Sequence, residues 1–516
     1  MRQSRTGGRQ PGWRTGWILS LLAAALAACA ALPAAASAQQ WSQPLDLSAP
    51  GAIARDPGVF LDRPPLDKPP DVGLDANGNA TFAWMRLDAT QSCVPGDGGC
   101  WQVQAVRRSA SGVMGEVRTL SPVSGISAVN QQVQVAANGD AVVAWEQPGH
   151  TDEERIVARV RRASTGVWGQ PRYISGEIPL HSPNADASFD LKMNAQGDAE
   201  FAWLQTTNGR NAGRVFVRSW SHTGSLGPKT SAGVGEVGSP RVAVLSDGAA
   251  IVAWTSQDGE TCGTHPCVQL HARPISAASV LGPTEEVSPP DQRVVRGTQR
   301  LAVNTAGAAL FAWQQEDPSG CPYPAPTRCS RVLVRGRSAT GEFAPRQIAS
   351  EGSGLLPIDL QLGLDGDGGS VVVWLESKQV RNESCFHACS LQLVERSAAG
   401  DLGPVQTIAT KAQSLEVQLA PDGGGLFTWL ASDGDPIGCG FETGCMRVRT
   451  MDRAPDGSLG PIETVSPGGQ DAISSRIALA PNGAAAAVWG VGDLGGQQPA
   501  ASEYVQGAVR AAPGSP

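Results

Sequence analysis

Beyond its first forty residues the chain has no run of about 18 apolar residues, the length a membrane-spanning helix needs, so no internal span is expected. Charge is scarce too, at 17 % of residues, and there is no basic excess. Lys and Arg number 40 against 48 Asp and Glu, a formal net charge of −8. That balance argues against nucleic acid or anionic lipid as a partner. Histidine occurs six times. It forms no HExxH or histidine-pair pattern, and no GxSxG or GxGxxG stands in a suitable context. What the chain has in quantity is glycine, 62 residues of it. This composition is rich in turns and strands rather than helix.

The glycines recur in register with tryptophan. Eight times a glycine is followed six residues later by a tryptophan: Gly78/Trp84, Gly139/Trp145, Gly197/Trp203, Gly248/Trp254, Gly307/Trp313, Gly368/Trp374, Gly423/Trp429 and Gly483/Trp489. Successive tryptophans lie 51 to 61 residues apart, and a fixed period of this size marks a repeat architecture. Around Trp254, Arg241 to Leu245 reads as a strand, Asp247-Gly248 as a turn, and Ala249 to Trp254 as a second strand. Val268 to Arg273 and Leu281 to Ser288 read as a third and a fourth. Four antiparallel strands of this length make one propeller blade. The Asn-Gly and Asp-Gly pairs predict type I′ hairpin turns. Small, large and tryptophan side chains alternate with period two, as in Ala141, Val143 and Trp145, and so share one face of the second strand. The opposite face is apolar as well, which predicts burial between neighbouring blades. The tryptophans are therefore read as blade-packing residues.

The last repeat ends after three strands, and the missing one stands near the start of the chain. Trp41 to Ser48 (WSQPLDLS) shares its Trp, Gln, Pro and Ser positions with Trp168 to Ser175 (WGQPRYIS). The expected fold is one all-β, eight-bladed β-propeller over 39–511, closed by the N-terminal strand. Residues 512–516 form a tail. Residues 1–38 read as a signal peptide, with arginines at 2, 5, 9 and 14, an apolar stretch and Ala36-Ser37-Ala38 at the cleavage site. The alternative is a lipoprotein signal, 1–28, with Leu26-Ala-Ala-Cys29 as lipobox and Cys29 as membrane anchor. The predicted location is extracellular, or the cell envelope if Cys29 is lipidated.

Ten further cysteines form five close pairs: Cys93/Cys100, Cys262/Cys267, Cys321/Cys329, Cys385/Cys389 and Cys439/Cys445. Each pair falls in the loop after a repeat tryptophan, and an even count in an exported chain predicts disulfides within blades. Zinc is disfavoured, since no loop offers more than three ligands, even counting His265 and His387. Asp365-Gly-Asp367 and Asp433-Gly-Asp435 resemble pieces of calcium loops but lack the full ligand set. No metal or other cofactor is expected. Arg108, Arg162, Arg337, Arg396, Arg453 and Arg510 each precede a glycine by four residues. They are placed at the outer hairpins as solvated side chains.

The units Ala136-Ala-Asn-Gly-Asp-Ala-Val-Val-Ala-Trp145 and Arg162-Ala-Ser-Thr-Gly-Val-Trp-Gly-Gln-Pro171 resemble those of exported repeat proteins of high-GC bacteria. The likeness to WD40 and quinoprotein propellers is architectural only: no repeat tryptophan is followed by aspartate, and no adjacent cysteine pair occurs. The resemblance implies the fold and brings no reaction. No catalytic residue is assigned. The expectation is a monomeric, non-catalytic binding or scaffold protein that engages an extracellular protein or glycan through the disulfide-stapled loop face. The alternative is a glycan hydrolase or lyase with acidic residues at the axial funnel. It requires carboxylates about 5 Å or about 6.5–9.5 Å apart, for which Asp62, Asp67, Asp186 and Asp291 are the residues to inspect.

Overall fold

In the computed structural model the described residues are 40–513, without 50–68, 92, 94–98, 123–124, 149–153, 176–188, 207–212, 238–239, 263–264, 291, 318–328, 351–355, 378–388, 435–438, 440–443 and 493–503. They contain strands and turns and no helix. The strands form eight antiparallel four-stranded blades, numbered here by their tryptophans from Trp84 in blade 1 to Trp489 in blade 8. The ring is an eight-bladed β-propeller. The signal and lipobox segments lie outside the described residues, and from Trp41 onward the chain forms one compact unit.

Blade 8 is completed by the N-terminal segment. Leu45–Asp46 pairs antiparallel with Tyr504–Arg510, the third strand of that blade. Leu47 N–H donates to Val505 C=O (2.8 Å) and Ser42 N–H to Val509 C=O (2.8 Å). The serine that ends this strand has a repeated task. Ser48 Oγ accepts the N–H of Val505 (2.9 Å), as Ser121, Ser175, Ser288, Ser350 and Ser466 accept strand-three N–H groups in five other blades. The hydroxyl replaces the backbone carbonyl at the point where the fourth strand turns away.

The hydrophobic core divides into clusters at the junctions between blades, and each tryptophan packs against the preceding blade. Trp203 meets Val142 and Ile156 of blade 2. Trp429 meets Val373, Leu391 and Leu393 of blade 6. Trp84 meets Ala486, Val488 and Val505 of blade 8, with Leu47 beside them. All eight tryptophans are at most 3 % exposed. The opposite strand face is buried as expected, but it is not apolar in every blade. Beside Trp429 the buried Thr428 takes the place of an aliphatic side chain, and its hydroxyl donates to Arg449 C=O (3.0 Å). That bond satisfies the polar atom within its own blade, so burial does not require an apolar residue there. Blades 3 and 4 are also joined through the backbone, because Glu236 and Val237 pair with Gln257 and Ser256.

The turns differ from the expected type I′. Gly78 has φ 81°, but Asn77 is not in the left-handed region. Gly78 N–H donates to Asp75 C=O (3.0 Å) and Asp75 N–H to Asn79 C=O (3.0 Å). The loop is thus three residues long, a type I turn followed by a left-handed glycine that forms a bulge. Only the glycine needs positive φ, which explains why Gln196-Gly197 and Ala306-Gly307 serve as well as Asn-Gly.

Candidate functional site

Thirteen residues before each repeat tryptophan stands a polar residue: Asp71, Gln132, Asp190, Arg241, Arg300, Gln361, Glu416 and Arg476. Each lies on the innermost strand of its blade, opposite the residue just before the tryptophan, as Asp71 faces Ala83 and Glu416 faces Thr428. In blades 1, 4 and 5 this residue begins the strand. The ring therefore sits at the mouth where the chain enters each blade. The second strand runs back toward that same end, so the loops after the tryptophans open there too.

The charges meet across the axis. Arg300 of blade 5 is acted on by Asp190 of blade 3 and Arg476 of blade 8. Asp71 of blade 1 is acted on by Arg476 and by Lys192 of blade 3, and Glu416 of blade 7 by all three of these groups. Only a path through the centre connects blades so far apart in the ring. Four carboxylates (Asp71, Asp190, Asp359, Glu416) and four cations (Lys192, Arg241, Arg300, Arg476) thus act on one another around the axis.

The same carboxylates close a gap in the backbone. An innermost strand has one unpaired edge, and its N–H groups need acceptors. Asp71 accepts from Val133 N–H (2.7 Å), Gln132 from Leu191 (3.1 Å), Asp190 from Val242 (2.8 Å) and Glu416 from Ile477 (2.7 Å), each in the next blade. Asp359 accepts from Leu415 N–H (2.6 Å). Beside the ring the backbone is strained. Asn130, Asp359, Ser414 and Ser474 adopt positive φ of 46° to 57°, each two residues before a ring residue and within a β-bulge. Such conformations cost of order 1–3 kcal/mol each and gather at functional sites.

Burial governs the protonation of the ring. It pushes Glu416 up to about 7, against the pull of Arg476 and the Ile477 N–H. It raises Asp71 as well, against the Val133 N–H and Arg476. Burial and the neighbouring Arg241 press the Arg300 guanidinium down to about 9, still cationic at neutral pH.

Other residues singled out in the sequence are placed elsewhere. The repeat tryptophans, Trp429 among them, are enclosed between blades. Asp62, Asp67, Asp186 and Asp291 lie outside the described residues. Cys93–Cys100, Cys262–Cys267 and Cys439–Cys445 are disulfides. Cys329 and Cys389 are disulfide-bonded too, while Cys321 and Cys385 lie outside the described residues. These bonds are consistent with an oxidising, extracellular setting. Among the described residues one group, Cys439, Cys445 and Asp471, brings three potential metal ligands together, but its sulfurs are joined to each other. Asp365 accepts the Asp367 N–H within its turn (3.0 Å), and Asp433 pairs with Arg447 (3.1 Å).

The hairpin arginines are not the solvated side chains expected. Arg337 is held by Glu285 of the preceding blade (2.7 Å), Arg453 by Glu395 (2.9 Å) and Arg510 by Asp452 (2.5 Å). Arg396 donates to Gln347 (3.2 Å), again one blade back. Arg162 pairs with Asp140 of its own blade (2.7 Å), and Arg108 is half-buried with its Nε lacking a partner. The acids of the preceding blade are 52 to 58 residues away in sequence, so no local pattern could reveal these clamps.

No family model and no curated protein matches this chain. Solved structures do. The polysaccharide lyase Uly1 is 8 % identical at a TM-score of 0.45, with 74 % of this chain and 89 % of that one covered. A puromycin hydrolase is 14 % identical at 0.42, with 86 % and 61 % covered. An α-L-arabinofuranosidase from Fusarium graminearum is 9 % identical at 0.37, with 63 % and 92 % covered. Glycan-active enzymes are thus among the matched structures, but likeness this weak carries no argument about activity.

Proposed function

We propose that this is an exported glycan-active protein whose site is the charged axial mouth. One observation carries the reading. The innermost strands deliver acids and bases of both signs to one axial mouth, at the end of the ring where the loops open. Glu416 is suited to be the proton donor. One of its oxygens is held by the Ile477 N–H, and a carboxyl that titrates near neutrality works well as a general acid. Asp71 is the second carboxylate, and hydrolysis of a glycosidic bond uses two. Arg476 and Arg300 supply positive charge for an acidic sugar, where neutralising a uronate would also permit elimination. The test is incubation with neutral and acidic polysaccharides, reading new reducing ends and unsaturated products. Turnover by the wild type that falls at least a hundredfold in Glu416→Gln supports the reading. A folded wild type inert towards the whole panel sinks it.

A second reading keeps the glycan and drops the chemistry. It is favoured by the use of all four axial carboxylates as acceptors for backbone N–H groups, which gives them a structural task. Saturable glycan binding without turnover would establish it.

A further inference from the structure

Blades 1 and 2 meet differently from the clamped junctions. At the junctions before blades 5, 7 and 8 an arginine at the end of the third strand is clamped by an acid of the preceding blade: Arg337 by Glu285, Arg453 by Glu395, Arg510 by Asp452. By register, Arg161 is the corresponding arginine of blade 2, since it pairs with Ala141 as Arg337 pairs with Ala309. The acids have been replaced. Arg118 pairs with Ala105 as Glu285 pairs with Ala272. Arg107 faces Thr81 as Glu395 faces Val371 and Asp452 faces Leu426. Both positions that elsewhere supply the carboxylate carry a guanidinium here.

A second seal is missing at the same place. Arg218, Arg273 and Arg335 sit opposite the residue two before their tryptophans, and each donates to main-chain carbonyls of its own hairpin and of the preceding blade. Arg159 holds that position in blade 2, opposite Val143. Its Nε is buried and has no hydrogen-bond partner.

The consequence is a cleft of about 640 Å³ between the two blades, lined by Arg107, Arg118, Arg159 and Arg161 against one lining acid, Glu116. Glu116 is spent on Arg118 at the exposed rim (2.7 Å), and Asp75 reaches Arg107 at 3.6 Å. Asp140, engaged by Arg162, and Asp75 are the further acids that act on Arg161. The rim is apolar: Val113 and Val167 are 68 % and 66 % exposed, and half-buried Trp168 lines the wall. The volume lies in the range of small-molecule sites. Guanidinium forks bind sulfate and carboxylate oxygens in pairs, and an indole offers an apolar face to a sugar ring.

We propose that the cleft between blades 1 and 2 is a binding site for an acidic saccharide, sulfated or carboxylated, separate from the axial mouth. It does not rest on the axial reading. Its anionic groups replace the missing carboxylates of the clamp, and its sugar face lies against Trp168. Titration calorimetry with a sulfated oligosaccharide, a neutral one of equal length and inorganic sulfate tests this. The sulfated sugar should bind saturably, more weakly as salt rises, and at least tenfold more tightly than either control. Arg118→Glu restores the acid found in blade 4. It should raise the melting temperature by closing the clamp on Arg161 and cut affinity at least tenfold. Arg159→Ala should also weaken binding. Absence of saturable binding by the folded wild type overturns the proposal. So do equal affinity for inorganic sulfate and undiminished binding in Arg118→Glu.

Discussion

At the scale of single residues, the repeat tryptophans contribute volume rather than polarity. The indole N–H groups of Trp84, Trp145, Trp203, Trp313, Trp374 and Trp489 are buried without a hydrogen-bond partner. An unsatisfied donor costs about 1–3 kcal/mol, and the packing of each ring against the preceding blade outweighs it. Trp489→Ala should therefore lose about 3–5 kcal/mol through the cavity it leaves. Trp489→Phe should lose less than half as much, because it also removes the unpaired donor. Denaturant midpoints of the two variants decide the matter, and equal losses would show that the N–H is satisfied in solution. The tryptophan pattern was legible in the sequence because its spacing and residue type both repeat. The face behind it was less so: Thr428 beside Trp429 breaks the apolar pattern, and its hydrogen bond to Arg449 is visible only in the sheet. The axial ring was equally regular in spacing but not in type. Aspartate, glutamine, arginine and glutamate share the position thirteen residues before tryptophan, and only the fold shows that these unlike groups face one another.

Elements depart from the repeat where one residue is out of place. On the second strand of blade 3, Ala199–Thr206, Glu200 occupies the position held by Val142, Ile251, Leu310, Val371 and Leu426 in other blades. Burial pushes this carboxyl from 4.5 up to about 8. An acid whose folded pKa lies above its unfolded value holds its proton more tightly in the folded state. Stability from this site is therefore greatest below about 4.5, falls as pH rises towards about 8, and stays low above that. Glu200→Val should raise the melting temperature at pH 8.5, have little effect at pH 4.5, and flatten the pH profile between them. An unchanged profile would show that Glu200 titrates normally. The fourth strands carry another lesson. Leu281 to Ser288 reads as a full strand, yet only Glu285–Glu286 forms a strand and Leu281 an isolated bridge to Ile275, because the chain leaves the sheet and the serine hydroxyl takes over the last N–H.

For the whole molecule, closure by the N-terminal segment is the feature on which the ring depends. Leu47 is buried against Val72, Phe82 and Trp84 of blade 1 and against Val505 of blade 8. Deleting residues 41–48 would bare the edge of the third strand of blade 8, and an exposed edge is a template for association. The truncated protein should elute as larger species than the full chain in size-exclusion chromatography, and a peptide of residues 41–48 added in trans should restore the full chain's elution. A truncated protein that elutes like the full chain and is equally stable would mean that closure lies in the packing of blades 1 and 8 alone.

By itself the sequence determined the number of blades, their order and the closing strand. All three follow from periodic burial and from turn glycines, which act within a few residues of one another. The tertiary structure alone decided what faces what across the ring. The clamps between blades, the axial meeting of Asp71, Glu416 and Arg476, and the open arginine cleft between blades 1 and 2 join residues far apart in the chain. Their energies are electrostatic and depend on distances in space, which the ring sets when it closes.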